Sequence, residues 1–107
     1  MPLWERVRDM LIQRVASGSV EMTEIARALD TSPRTLRRRL RAEGKSYPEL
    51  VAAALCCAAK DLLANERHSV HDVGGLLGFA DDSAFDRAFK RWTGMTADAY
   101  RARLQET

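Results

Sequence analysis

No run of apolar residues approaches the roughly 18 to 20 that a helix needs to cross a bilayer. The opening Met1-Pro2-Leu3-Trp4-Glu5-Arg6 lacks the apolar block of a secretory leader. Membrane and secretory readings are therefore set aside. Cysteine is nearly absent: Cys56 and Cys57 are adjacent, too close to staple distant segments and too few for a zinc site. A reducing cytoplasm is the expected compartment, with the pair packed among alanines rather than reactive. With only three prolines and six glycines, the composition suggests neither disorder nor a disulfide-stapled scaffold. His68 and His71 have a ligand-like spacing, but Glu66 and Asp72 are generic neighbours and no cysteine lies close in sequence, so no metal is expected. No nucleophile, base and oxyanion arrangement is discernible, nor a glycine-rich phosphate loop. Neither enzyme activity nor a cofactor is expected.

What is there is ordinary in amount and uneven in place. The 107 residues are 46% hydrophobic and 30% charged, enough for one domain, or two very small ones, to bury a modest core without metal or disulfide support. The net charge of +2 conceals an asymmetry: residues 1–50 hold ten Lys/Arg against seven Asp/Glu, and residues 51–107 seven against eight. The basic excess belongs to the first half.

Apolar spacing predicts an all-α fold of seven helices. Trp4, Val7, Leu11 and Val15 recur at helical spacing over 3–16, and Ser17-Gly18-Ser19 breaks the pattern. A short helix over 22–29 places Met22, Ile25, Ala26 and Leu29 on one face. Ser32 as N-cap and Pro33 at the first helical position start a third helix, which runs to about 43 before Gly44. Ser46 with Glu49 reads as a capping box opening a long connector to about 65, with Leu50, Val51, Ala54, Leu55, Ala58 and Leu62 as its inner stripe. Ser69 and Asp72 open a fifth helix over 70–77, locally weakened by Gly74-Gly75 and ended by Gly78. Asp81 or Asp82 caps a sixth to about 93, carrying Phe85, Ala88, Phe89 and Trp92. Gly94 ends it, and Thr96 caps a seventh.

The pattern repeats. Placing Ile25 on Val73 puts Ala26 on Gly74 and Leu29 on Leu77; one extra residue in the second turn then puts Leu36 on Phe85, Arg38 on Arg87 and Leu40 on Phe89. Each unit is a short helix, a tight turn and a longer helix, the sequence form of a helix-turn-helix, whose second helix enters the DNA major groove. The stretch 32–45, SPRTLRRRLRAEGK, holds six basic residues and one acidic. Its guanidiniums suit guanine edges and phosphates, and its consecutive arginines gain no intrahelical pairing. Arg34, Thr35, Arg37 and Arg38 are the candidate base readers here, with Arg39, Arg41 and Lys45 toward the backbone. Trp4, Trp92, Phe85 and Phe89 are read as packing anchors rather than base-stacking platforms. A different reading of the same surface is a basic helical module that docks an acidic protein and binds DNA only weakly.

The stretch 73–96, VGGLLGFADDSAFDRAFKRWTGMT, with the following Tyr100-Arg101, closely resembles the AraC/XylS family of bacterial transcription regulators, as do EIARAL at 24–29 and SPRTLRRRLRAEGKSY at 32–47. The resemblance covers nearly the whole chain. It implies a C-terminal DNA-binding domain over 1–107: a first subdomain over about 1–46 (helix-turn-helix 22–43), a connector helix over about 47–65, and a second subdomain over about 66–107 (helix-turn-helix 70–93). It implies base readers at Arg34, Arg37 and Arg38 in the first unit and at Asp82, Ser83 and Arg87 in the second, where Lys90 and Arg91 face the backbone. The partner expected is double-stranded DNA; RNA polymerase and a separate N-terminal effector or dimerisation domain in a longer parent are further expectations. The chain departs from the family pattern at four places. Gly74 stands where alanine is usual, costing about 1 kcal/mol of helix propensity and pointing to a more mobile second unit. Asp82 and Asp86 lie along the second reading helix, Leu55-Cys56 replace basic residues of the connector, and Ala97 replaces a proline.

Overall fold

The structure is a computed structural model that describes residues 1–15 and 20–106. The expected break at Ser17-Gly18-Ser19, and Ala16 before it, lie outside the described residues. Among those residues there are seven helices and no strands: α1 (Leu3–Val15), α2 (Met22–Ala28), α3 (Pro33–Ala42), α4 (Tyr47–Leu63), α5 (Val70–Leu76), α6 (Asp82–Thr93) and α7 (Ala97–Leu104). They form two compact units, Met1–Leu55 and Cys56–Thr107, and the division falls inside α4.

In the first unit Val7, Leu11 and Val15 of α1, Ile25 and Ala26 of α2, Leu36 and Leu40 of α3, and Leu50 and Ala54 of α4 are all buried. Burying each Leu, Ile or Val contributes about 1.5–3 kcal/mol. Two long-range contacts brace this core. The Glu43 carboxylate, at the C-terminal end of α3, accepts the Leu3 N–H at 3.0 Å and the Trp4 N–H at 2.7 Å. It thus satisfies two donors that the first turn of α1 leaves open. Tyr47 donates its hydroxyl to the Val20 carbonyl at 2.6 Å, tying the start of α4 to the segment before α2. Burial pushes that phenol up to about 12.

In the second unit Ala59, Leu63, Val73, Phe85, Phe89 and Ala97 form the core, with Leu62, Phe79, Trp92, Met95 and Tyr100 packed against it. Phe85 lies 5.3 Å from Phe79 and 5.9 Å from Phe89, and Phe89 lies 5.5 Å from Tyr100, between ring centres, all tilted or edge-on. Such pairs add about 0.5–1.5 kcal/mol each beyond area burial. Arg101 donates Nε–H to the Leu63 carbonyl at 3.2 Å and Nη2–H to the Asn65 carbonyl at 3.4 Å, satisfying acceptors at the end of α4.

Two expectations about α4 are corrected. Its buried positions are Tyr47, Leu50, Ala54, Ala59 and Leu63, whereas Val51, Leu55, Ala58 and Leu62 are only half-buried. The step of five between Ala54 and Ala59 arises because one helix feeds two cores and cannot keep one stripe. The capping box is half formed: the Glu49 N–H donates to Ser46 Oγ at 3.3 Å, but the Glu49 carboxylate takes the Ser46 hydroxyl instead of its backbone N–H. The Ser69–Asp72 box, by contrast, is complete. Gly74 is buried, and a Cβ there would stand 3.2 Å from Phe85. The missing methyl therefore lets Phe85 seat against α5, a packing use for a residue that propensity alone reads as a defect.

Candidate nucleic-acid interface

The two turns share one geometry. After α2 the chain passes through Asp30 at φ 55°, and after α5 through Gly78 at φ 88°. Asp and Gly are among the residues that tolerate this left-handed region. The Thr31 N–H then donates to the Ala26 carbonyl at 2.9 Å, and the Phe79 N–H to the Gly74 carbonyl at 3.0 Å. Ser32 caps α3 by accepting the Thr35 N–H at 3.1 Å, and Asp81 caps α6 by accepting the Ala84 N–H at 2.7 Å. Of the two candidate caps for α6, Asp81 is the one used. Turn and cap match pair by pair, and the extra residue of the second turn is Ala80.

These turns deliver α3 with Leu36 and Leu40 inward and Arg34, Arg37, Arg38, Arg39 and Arg41 exposed. At about 100° per residue, Arg38 lies opposite the buried pair, Arg34 and Arg41 lie within about 60° of it, and Arg37 and Arg39 sit on the flanks. Among the described residues none of these five arginines is in an ion pair. The one acid of the stretch, Glu43, is committed to the start of α1. Thr35 is half-buried, and its Oγ1 lies 3.0 Å from the Ser32 hydroxyl, so it supports the cap as well as lying near the front of the helix. Arg37 leans over α2, with Nη2 3.8 Å from Met22 Sδ. Met22, Arg37, Arg41, Lys45, Ser46, Tyr47 and Pro48 line a cleft of about 310 Å³. Its three cations and lack of acids suit a phosphate. Lys45 Nζ also lies 4.7 Å from the centre of the Trp4 ring, and Arg8 lies 5.2 Å from it, cation–π placements that order the edge of the basic surface.

In α6 the same register puts Arg87 opposite Phe85 and Phe89, with Ser83 and Lys90 beside it; Ser83, Arg87, Lys90 and Arg91 are all exposed. Asp82 is exposed but engaged: its Oδ1 lies 2.6 Å from His71 Nδ1 of α5. That bond and the charge of Asp82 hold the histidine above its ordinary 6.5. Asp86, which takes the place of Arg37 in the repeat, is half-buried, with Oδ1 sealed from solvent and unpartnered among the described residues. The contact between His71 and Asp82 is not named by the sequence, because only the approach of α5 to α6 brings the two together.

Cys56 and Cys57 are half-buried free thiols, and burial pushes Cys56 upward, away from thiolate chemistry. Among the described residues no group of three or more His, Cys, Asp or Glu could hold a metal ion, and no helix is long and apolar enough to cross a membrane.

Known proteins share this arrangement. The chain is 44% identical over 81 residues to an uncharacterised HTH-type transcriptional regulator of Mycobacterium tuberculosis, covering 76% of this chain and 24% of that protein. It is 37% identical over 100 residues to the HTH-type transcriptional regulator VirS of the same organism, covering 94% and 29%. The chain thus spans about a quarter of the length of these curated relatives. A crystal structure of a DNA-binding transcriptional dual regulator from Escherichia coli K-12 matches with a TM-score of 0.90 at 26% identity, covering 100% of this chain and 96% of that one. The family profile described as Helix-turn-helix domain matches residues 25–103. With that match laid over two turns of one geometry, the chain belongs to the helix-turn-helix domain family, in its AraC type.

Proposed function

We propose that the chain binds duplex DNA with sequence preference, α3 and α6 each entering a major groove, and so regulates transcription. The observation that carries this reading is the unpaired cationic front of α3, where the one acid of the stretch 32–45, Glu43, is drawn away to cap α1. A surface of five arginines without counter-charges is costly to keep unless a polyanion neutralises it. Arg34 and Arg38, with Thr35 and Arg37 beside them, read base edges, while Arg39, Arg41 and Lys45 hold phosphates. Asp82, Ser83 and Arg87 read in the second unit, supported on the backbone by Lys90 and Arg91. The names of the matched relatives and of the matched structure agree with this role.

Within a longer parent, an effector or dimerisation domain ahead of this one and contact with RNA polymerase belong to the same reading, as does a cytoplasmic setting; no catalytic step is assigned. Titrating the chain against labelled duplexes at low salt tests it. Tight binding that discriminates among duplexes is expected. Weak, sequence-blind binding beside tight capture of an acidic protein would favour an interaction module instead.

A further inference from the structure

Asp82 occupies the first turn of α6, where a bare carboxylate favours the helix end but repels an approaching phosphate. His71 reaches it from the neighbouring helix, Nδ1 to Oδ1 at 2.6 Å. The two side chains are 78% and 63% exposed, so their pairing does little for the fold. We propose that His71 is a DNA-contacting and positioning residue of the second reading helix: its doubly protonated ring clamps Asp82 through Nδ1–H and offers Nε2–H to a backbone phosphate, so that binding by this unit takes up a proton. The proposal rests on the DNA-reading function above.

The chemistry of imidazole carries the argument. A neutral ring has one N–H; if Nδ1–H donates to Asp82, Nε2 is an acceptor and opposes a phosphate oxygen. Only the imidazolium presents donors on both sides. Charge points the same way. With a neutral ring the pair carries one negative charge at the reading surface, and with a protonated ring it carries none. Clamping Oδ1 also fixes the plane of the carboxylate, leaving Oδ2 to accept an exocyclic amino group such as that of cytosine.

The acidic groups beside the ring favour its protonation and outweigh the opposing cost of desolvation. Asp82 faces the ring from α6 and is the main cause of its raised affinity for a proton, with Asp72 of α5 adding to it. Asp72 is itself held by the Ser69 N–H at 3.0 Å. His68 lines the same shallow surface with His71, Asp72, Gly75 and Leu76. Asp81 is occupied by the Ala84 N–H, and Asp86 lies one turn beyond Asp82, half-buried.

The test uses a labelled duplex enriched by the wild-type chain from a randomised pool and titrated at fixed salt from about pH 5 to 8, the range in which histidine changes charge. Wild-type affinity is expected to fall several-fold across that range, with a slope approaching one proton, about tenfold per pH unit at most. His71→Gln flattens the profile near the wild-type high-pH value. Asp82→Asn moves the midpoint down toward the ordinary histidine range, and His68→Gln leaves the wild-type profile in place. The His71 ring resonance, followed by NMR, titrates at higher pH when the duplex is added. Superimposable profiles for wild type and His71→Gln, on a duplex both bind, overturn the proposal alone. If no duplex is enriched, DNA reading itself fails and the proposal falls with it.

Discussion

Replacing Glu43 by alanine removes the acceptor of two N–H groups at the start of α1, at 3.0 and 2.7 Å, and the only negative charge in the stretch 32–45. Losing an N-terminal cap costs about 0.5–2 kcal/mol. The site is exposed and the freed N–H groups are rehydrated, so about 1–1.5 kcal/mol is expected here. For a chain of this size that is a fall in Tm of roughly 4–12 °C. DNA affinity moves the other way: at about 10 Å in water a unit charge is worth about 0.4 kcal/mol, close to a twofold gain. Glu43→Gln separates the effects, because its amide oxygen still accepts one of the N–H groups while the charge is gone. It should melt between wild type and alanine but bind DNA as the alanine variant does. Circular dichroism melts and fluorescence anisotropy read the two quantities. A Glu43→Ala variant that melts with wild type would refute the reasoning, since the α1 donors would then be equally well served by water.

Further outcomes follow from single positions. Gly75 has nothing within 4 Å of a built Cβ, whereas at Gly74 the Cβ would meet Phe85 at 3.2 Å. Gly75→Ala should therefore stabilise by about 0.5–1 kcal/mol, and Gly74→Ala should give none of that gain; equal shifts in Tm would contradict the packing role of Gly74. If about six to eight phosphates are neutralised, log Kd against log salt should have a slope of magnitude roughly 5 to 7, and a slope near zero would exclude backbone-driven binding. The Ser69 N–H, and then its hydroxyl, hold the Asp72 carboxyl below its ordinary 3.8. A depressed carboxylate contributes stability that is present above the unfolded value and lost as pH falls through the folded one. Asp72→Asn should accordingly lose less stability than wild type on acidification below about pH 4, as followed by urea melts.

Short-range features were legible in the residues because their partners lie one to three positions away. Ser32 before Pro33, Ser69 with Asp72, Thr96 before α7 and the glycine stops state helix ends locally, and the doubled turn follows from Ile25 against Val73 and Leu36 against Phe85. The stripe of α4 was not legible, because its alanine-rich middle fits several phases equally and the helix contributes to two cores. Nor were Glu43 to Leu3 and Trp4, Tyr47 to Val20, Arg101 to Leu63, and His71 to Asp82. Each joins residues from 11 to 40 apart, so only the packed fold makes them neighbours. The exposed arginines of α3 follow from the Leu36–Leu40 spacing. That Arg37 sits on a flank, that Thr35 shares in the cap and that Asp82 is clamped depend on neighbours the spacing does not name.

The proposal that α3 and α6 are both readers is tested most directly by selecting from a randomised duplex pool with wild type, Arg38→Ala and Arg87→Ala in parallel. Both arginines stand at matched positions opposite the buried pairs Leu36–Leu40 and Phe85–Phe89. Two readers predict that each variant loses base preference in its own segment of the selected site, at a cost of about 1–3 kcal/mol, while the other segment stays intact. Variants that weaken binding uniformly, with every position of the selected site unchanged, would contradict it.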